Sequence, residues 1–155
     1  MEKDYYYRVM NDWNYLPDFM DHFYAEYEIG KKEVGIRGNI ERSSAELPTN
    51  AEKRFTQCQV VNAVVDYFEM ERDKCRSEKL KFIMMNSNRA LSERTAEKYL
   101  DSDEELINLE QIITQVNLLK NCFVGLSKAF EYKHYQLTNI TKLRSAGLED
   151  SRIED

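Results

Sequence analysis

An all-α fold built from long antiparallel helices is predicted by three features of this 155-residue chain. Glycine and proline are scarce, at five and two residues, while good helix formers dominate the second half. Residues 51–88 contain neither of the two. A C-terminal series of apolar residues recurs at alternating steps of three and four. The length suits one domain with its own core.

Residues 1–29 are aromatic and acidic: Tyr5, Tyr6, Tyr7, Trp13, Phe19 and Phe23 interleave with Asp12, Asp18, Asp21 and Glu26. Pro17 suits a helix start, and Leu16, Met20, Phe23 and Tyr27 follow at helical spacing, so a short helix is predicted over residues 17–28. Gly30, Gly35 and Gly38 fall within nine residues and Pro48 follows, which predicts the one break in helical pattern, a linker or hairpin over residues 30–50. Val34 and Ile36 alternate there and Gly38-Asn39 suits a turn, leaving room for a small β-hairpin between residues 30 and 49. No Lys-Ser/Thr pair follows the glycines, so they do not match a P-loop.

From Ala51 to Asn88 one long helix is predicted, with Val61, Val65, Phe68, Cys75 and Phe82 on one face. At the usual rise it is about 55 Å long and must run alongside another helix. Ser92 to Leu100 reads as a short helix, and Ser102 with Glu105 has the spacing of a capping box that opens the last helix. That helix carries Leu109, Ile112, Val116, Leu119, Phe123, Leu126, Phe130, Lys133, Leu137 and Ile140 in an unbroken coiled-coil-like series with one polar member. Gly147 is placed to stop it, and the charged residues 148–155 are expected to fray.

Such a seam has two fates. Folded back on residues 51–88, it is core. Yet Leu106, Ile107, Ile113 and Leu118 add apolar surface beyond it, more than one partner helix covers. Self-association is therefore expected, with Leu109, Ile112, Val116, Leu119, Phe123, Leu126, Phe130, Leu137 and Ile140 as the contact between subunits of a homo-oligomer.

The net charge of −6 excludes a protein that coats nucleic acid through a global positive field. Locally the sign reverses, because Arg72, Lys74, Arg76, Lys79, Lys81 and Arg89 stand against Asp73 and Glu78 alone, a charge of +4 over residues 72–89. Arg72 and Lys79 also occupy positions of the helix face where apolar residues are expected. Cations spaced along a rod can track a phosphate backbone. They can equally pair with the acidic run Asp101, Asp103, Glu104 and Glu105 if the chain turns back. Three unpatterned cysteines and two isolated histidines predict no disulfide framework, no metal site, no cofactor and no catalytic centre. Without a basic leader or an apolar span, a cytoplasmic protein is expected.

The run Tyr99-Leu100-Asp101-Ser102-Asp103-Glu104-Glu105-Leu106-Ile107-Asn108-Leu109, the heptads after it, then Tyr135-Gln136-Leu137-Thr138-Asn139 and Gly147, resemble the C-terminal half of UvsY-type recombination mediators of tailed phages. The likeness covers about a third of the chain. Upstream, Ile83-Met84-Met85-Asn86-Ser87-Asn88 stands where that family tends to place a Tyr-Tyr-x-Gly-like turn. The resemblance implies a ring-like homo-oligomer that binds single-stranded DNA, contacts a RecA-like recombinase and displaces single-strand-binding protein, without a cofactor. The competing expectation is a small helical phage protein, an inhibitor or adaptor acting on a host protein, that does not bind DNA.

Overall fold

A computed structural model describes residues 2–86 and 92–147. Among them the fold is all-α, with five helices and no strand. In chain order these are α1 (Glu2–Asn11), a 3-10 turn (Trp13–Tyr15), α2 (Leu16–Val34), α3 (Ile40–Asn86), α4 (Glu93–Leu100) and α5 (Glu104–Ser145). Backbone packing divides the chain into two compact units, each assembled from separate stretches of sequence. One comprises the residues up to Met20 with Gln59–Lys120, the other Asp21–Cys58 with the residues from Asn121 onward. Both long helices, α3 and α5, contribute to each unit.

In the first unit Asp12 ends α1 and caps the 3-10 turn, accepting a hydrogen bond from the Asn14 amide at 3.0 Å. The turn sets Trp13 edge-on to Phe68, with its indole N–H donating to the Tyr67 hydroxyl at 3.0 Å. Val9, Phe19, Val61, Val64, Phe68, Val116 and Leu119 are buried. In the second unit the core is Phe23, Phe123, Leu126, Phe130 and Leu137, with Phe123 edge-on to Phe23 and Tyr27.

The predicted hairpin does not form. Residues 30–34 complete α2 and residues 40–49 belong to α3, so the break shrinks to residues 35–39. Gly30 sits inside α2 because a side chain there would run into Leu126 and Arg54, not because the chain turns. Gly38, at φ +68°, makes the turn between two helices, and Asn39 then caps α3 by accepting from the Glu41 amide at 2.7 Å. Pro48 lies within α3, where its missing N–H removes one hydrogen bond and the rest of a 47-residue helix holds.

The last helix starts one residue later than the capping-box spacing suggests. Asp103, not Ser102, is the cap: its Oδ1 accepts from the amides of Glu105 and Leu106, both at 3.1 Å, while the Ser102 hydroxyl donates to the Tyr99 carbonyl. Gly147, at φ +74°, ends α5 as predicted. The expectation of a frayed tail concerns residues 148–155, which lie outside the described residues.

The α5 seam is buried within this single chain. Leu109, Val116, Leu119, Phe123, Leu126, Phe130 and Leu137 are buried and Ile112 and Ile140 half-buried. These side chains, expected at a contact between subunits, are core here, so in this fold they are not available to a second copy. Of the four apolar residues named beyond the seam, Leu106 and Ile113 are also buried, and Ile107 and Leu118 face solvent.

Candidate nucleic-acid interface

The basic stretch lies on the C-terminal half of α3, in the first unit. Its six predicted cations divide into three groups. Arg72 and Lys79, which share the core-facing side of the helix with Val65 and Phe68, are engaged by carboxylates. Arg72 pairs with Asp73 at 2.8 Å and with Glu110 of α5 at 3.0 Å. Lys79 donates to both oxygens of Asp103 at 2.6 Å and pairs with Glu105 at 2.9 Å. The hydrogen bond from Lys79, aided by the Leu106 and Glu105 amides, lowers the pKa of Asp103, and Asp103 and Glu105 in turn raise that of Lys79. Two cations at apolar positions are thereby explained: they meet the acidic start of α5.

Lys74, Arg76 and Lys81 are exposed and make no ion pair among the described residues. Arg89 lies outside the described residues. The structure therefore narrows the cationic surface to three residues, and Glu110, Asp103 and Glu105 offset much of the local positive charge counted along the sequence. On the solvent side, Met70, Lys74, Lys81 and Met85 fall at steps of four, seven and four, which places them on one stripe of α3. Met70, Phe82 and Met85 are exposed at 64, 68 and 84%. Cations beside exposed apolar side chains can accompany a chain that carries both phosphates and bases.

In the same unit, on the other side of α3 from this stripe, is an open cleft of about 550 Å³. Arg72 and Arg76 form its α3 side, Leu100 and Asp101 the end of α4, and Ile107, Glu110, Gln111, Thr114 and Gln115 the α5 side. Sequence reasoning missed this cleft, because its walls come from three helices and only Leu106 and Ile107 among them had been singled out as surplus apolar surface.

The second unit holds a buried ionic cluster that no motif announces. Arg54, with none of its side chain exposed, donates from Nε and Nη2 to the two carboxylate oxygens of Glu33, at 2.9 and 2.8 Å. Its Nη1 donates to Glu26 at 2.6 Å and to Gln57 at 2.7 Å. Burial alone would raise the pKa of Glu26, but hydrogen bonds from Gln57, Lys53 and Arg54 outweigh it and hold the group at about 2. Lys133, the one polar member of the seam, is buried and donates to the Glu33 carbonyl at 2.6 Å, at the C-terminal end of α2 where the helix dipole favours a cation. Burial lowers its pKa. The basic residue beside the Tyr135-Gln136-Leu137-Thr138-Asn139 step is thus a core contact, while Tyr135 itself is exposed. A second cleft, of about 400 Å³, lies here between Pro48 and Phe55 of α3 and Phe130 and His134 of α5.

Among the described residues no three His, Cys, Asp or Glu side chains converge as metal ligands, and no helix is long and apolar enough to cross a membrane. No protein-family model, curated protein or solved structure matches the chain.

Proposed function

We propose that this protein is a non-catalytic recombination mediator that binds single-stranded DNA and helps a RecA-like recombinase take the place of single-strand-binding protein. The observation that carries the DNA-binding part is the exposed pair Lys74 and Lys81, on one stripe of α3 with exposed Met70 and Met85. Such a surface offers cations to phosphates and apolar contacts to unstacked bases without reading sequence. The resemblance of residues 99–147 to recombination mediators supports the recombinase and single-strand-binding-protein partners and a cytoplasmic site of action.

Assembly into a homo-oligomer belongs to the same reading, but by a different face from the seam. Ile107 and Leu118 are the apolar residues of α5 left in solvent within the first unit, and they lie on one side of the helix with Gln111 and Thr114 between them. Repetition of a weak basic surface around an assembly lets an acidic subunit hold an anionic strand.

Charge reversal tests the surface: the Lys74→Glu, Lys81→Glu variant is expected to lose at least about tenfold in affinity for an unstructured oligonucleotide, with helicity unchanged. Affinity equal to the parent's removes these residues from the interface.

A second reading has its own observation. Arg72 and Lys79 are neutralised internally, while Phe82, Met84 and Met85 stand exposed at the end of α3. An exposed apolar helix end suits a protein partner, as in an inhibitor or adaptor. Binding to a protein target by a chain that ignores DNA would establish that reading.

A further inference from the structure

Trp13, the one tryptophan of the chain, has its indole N–H engaged and is nonetheless 39% exposed. The N–H donates to the Tyr67 hydroxyl at 3.0 Å, and that hydroxyl donates to the Met10 carbonyl at 3.3 Å. The ring stands edge-on to buried Phe68 with centroids 5.4 Å apart, and Asp12 caps the turn that carries it. The only polar atom of the indole is therefore satisfied within the protein, and what the ring offers to solvent is its apolar carbon surface.

Tyr67 ties this ring to the cationic stripe. On α3, Tyr67, Met70, Lys74, Lys81 and Met85 fall at steps of three, four, seven and four, which keeps them on one side of the helix. Tyr67 is half-buried at the border of the core, and the other four are exposed. At the usual rise Lys74 lies about 10 Å along the axis from Tyr67, and Lys81 about 10 Å further. Glu78 stands between the two lysines by the same spacing, so an anionic chain meets cations at two separate points. All of these residues belong to the first unit.

Carboxylates border the ring, Asp12 at the cap and Glu71 one helical turn beyond Tyr67. They disfavour a phosphate on the indole and leave that role to Lys74. A sugar would find no hydrogen-bonding group on the open carbon face. A flat ring that carries its anion on a connecting chain satisfies both ends, with the ring on Trp13 and the charge on the lysines.

We propose that Trp13 is a stacking platform for one base of the bound single strand, whose phosphate backbone runs from there along α3 past Lys74 to Lys81. This inference rests on the single-stranded DNA reading and adds to it the contact that takes a base. Every base has a π-face, so the platform accepts all four. Trp13 is already fixed by its hydrogen bond and by Phe68, so little side-chain freedom is lost when a base stacks on it.

A single tryptophan makes the contact directly visible. Oligothymidine titrated into the full chain is expected to quench Trp13 fluorescence, excited where tyrosine does not absorb, along the same curve as the anisotropy of a labelled strand. An abasic strand of equal length keeps the phosphates and lacks the bases; it is expected to bind at least about fivefold more weakly and to leave the fluorescence unchanged. Trp13→Ala is expected to weaken oligothymidine binding at least about fivefold with helicity unchanged, and Trp13→Phe, which keeps a ring against Phe68, to stay within about threefold of the parent. Oligothymidine that binds without quenching overturns the stacking assignment, leaves the lysine stripe standing and gives the aromatic surface to a protein partner. Quenching by the abasic strand overturns it equally. Failure of oligothymidine to bind at low salt overturns the single-stranded DNA reading itself.

Discussion

Arg54→Ala is expected to destabilise the protein by about 3–5 kcal/mol, the range for breaking a buried ion pair from one side. The guanidinium is fully buried and makes four hydrogen bonds, two to Glu33, one to Glu26 and one to Gln57. Its removal leaves two carboxylates facing each other across a cavity, with Lys53 alone still paired to Glu26 at 2.9 Å. In a chain of this size, each kcal/mol moves Tm by about 2–4 °C, so thermal unfolding should fall by about 6–20 °C. Arg54→Lys is not a rescue, since an ammonium cannot span Glu33 and Glu26 with the same fork. The cluster also gives acid sensitivity. Glu26 titrates at about 2 in the folded chain against 4.5 ordinarily, so it contributes stability that is present above about pH 4.5 and lost as pH falls toward 2. A shift of this size corresponds to about 3 kcal/mol, and because Gln57 and Lys53 still hold Glu26 in Arg54→Ala, only part of it should be lost there. An Arg54→Ala protein that melts with the parent would show that the cluster stabilises nothing.

Phe123→Ala is expected to cost about 3–5 kcal/mol for the same assay, as for other large rings removed from a core. Phe123 is fully buried, with its ring centroid 6.0 Å from that of Phe23 and 6.2 Å from that of Tyr27. The loss should be independent of protein concentration, because both neighbours belong to the same chain. If instead the melting temperature of the parent rises with concentration, and the variant lowers the mass seen by light scattering while its helices persist, the seam joins separate copies.

The regular parts of the fold were legible where periodicity alone decides. Leu109 through Leu137 recur at three and four, and most of them are buried. Gly147 and the short α4 were likewise visible from their own residues. What misled was punctuation. Gly30 and Pro48 are usual breakers, but Gly30 serves a close approach of Leu126 and Arg54, and Pro48 is carried by a helix long enough to lose one hydrogen bond. Ser102 matched a capping box and yielded to Asp103, which does the same work one residue on.

The candidate site was half legible. Arg72 and Lys79 announced themselves as cations at apolar positions, and the acidic run at residues 101–105 announced a partner, yet the pairing of Lys79 with Asp103 and Glu105 and of Arg72 with Glu110 depends on how α3 and α5 align. The Arg54 cluster was not legible at all. Its contacts join residues 21 to 31 apart, except that of Arg54 with Gln57, and in sequence Arg54 looks like any other surface cation. Lys133 left a clearer trace, as the one charge in an apolar series.

The central claim, that exposed cations of α3 hold a single DNA strand, is tested most directly by anisotropy of a labelled unstructured oligonucleotide across a salt series, with mass by light scattering on the same sample. Two phosphate contacts per subunit predict affinity that falls with salt at a log-log slope of about −1.4, steeper in proportion to the number of subunits on one strand. No binding at low salt, or binding indifferent to salt, would contradict it.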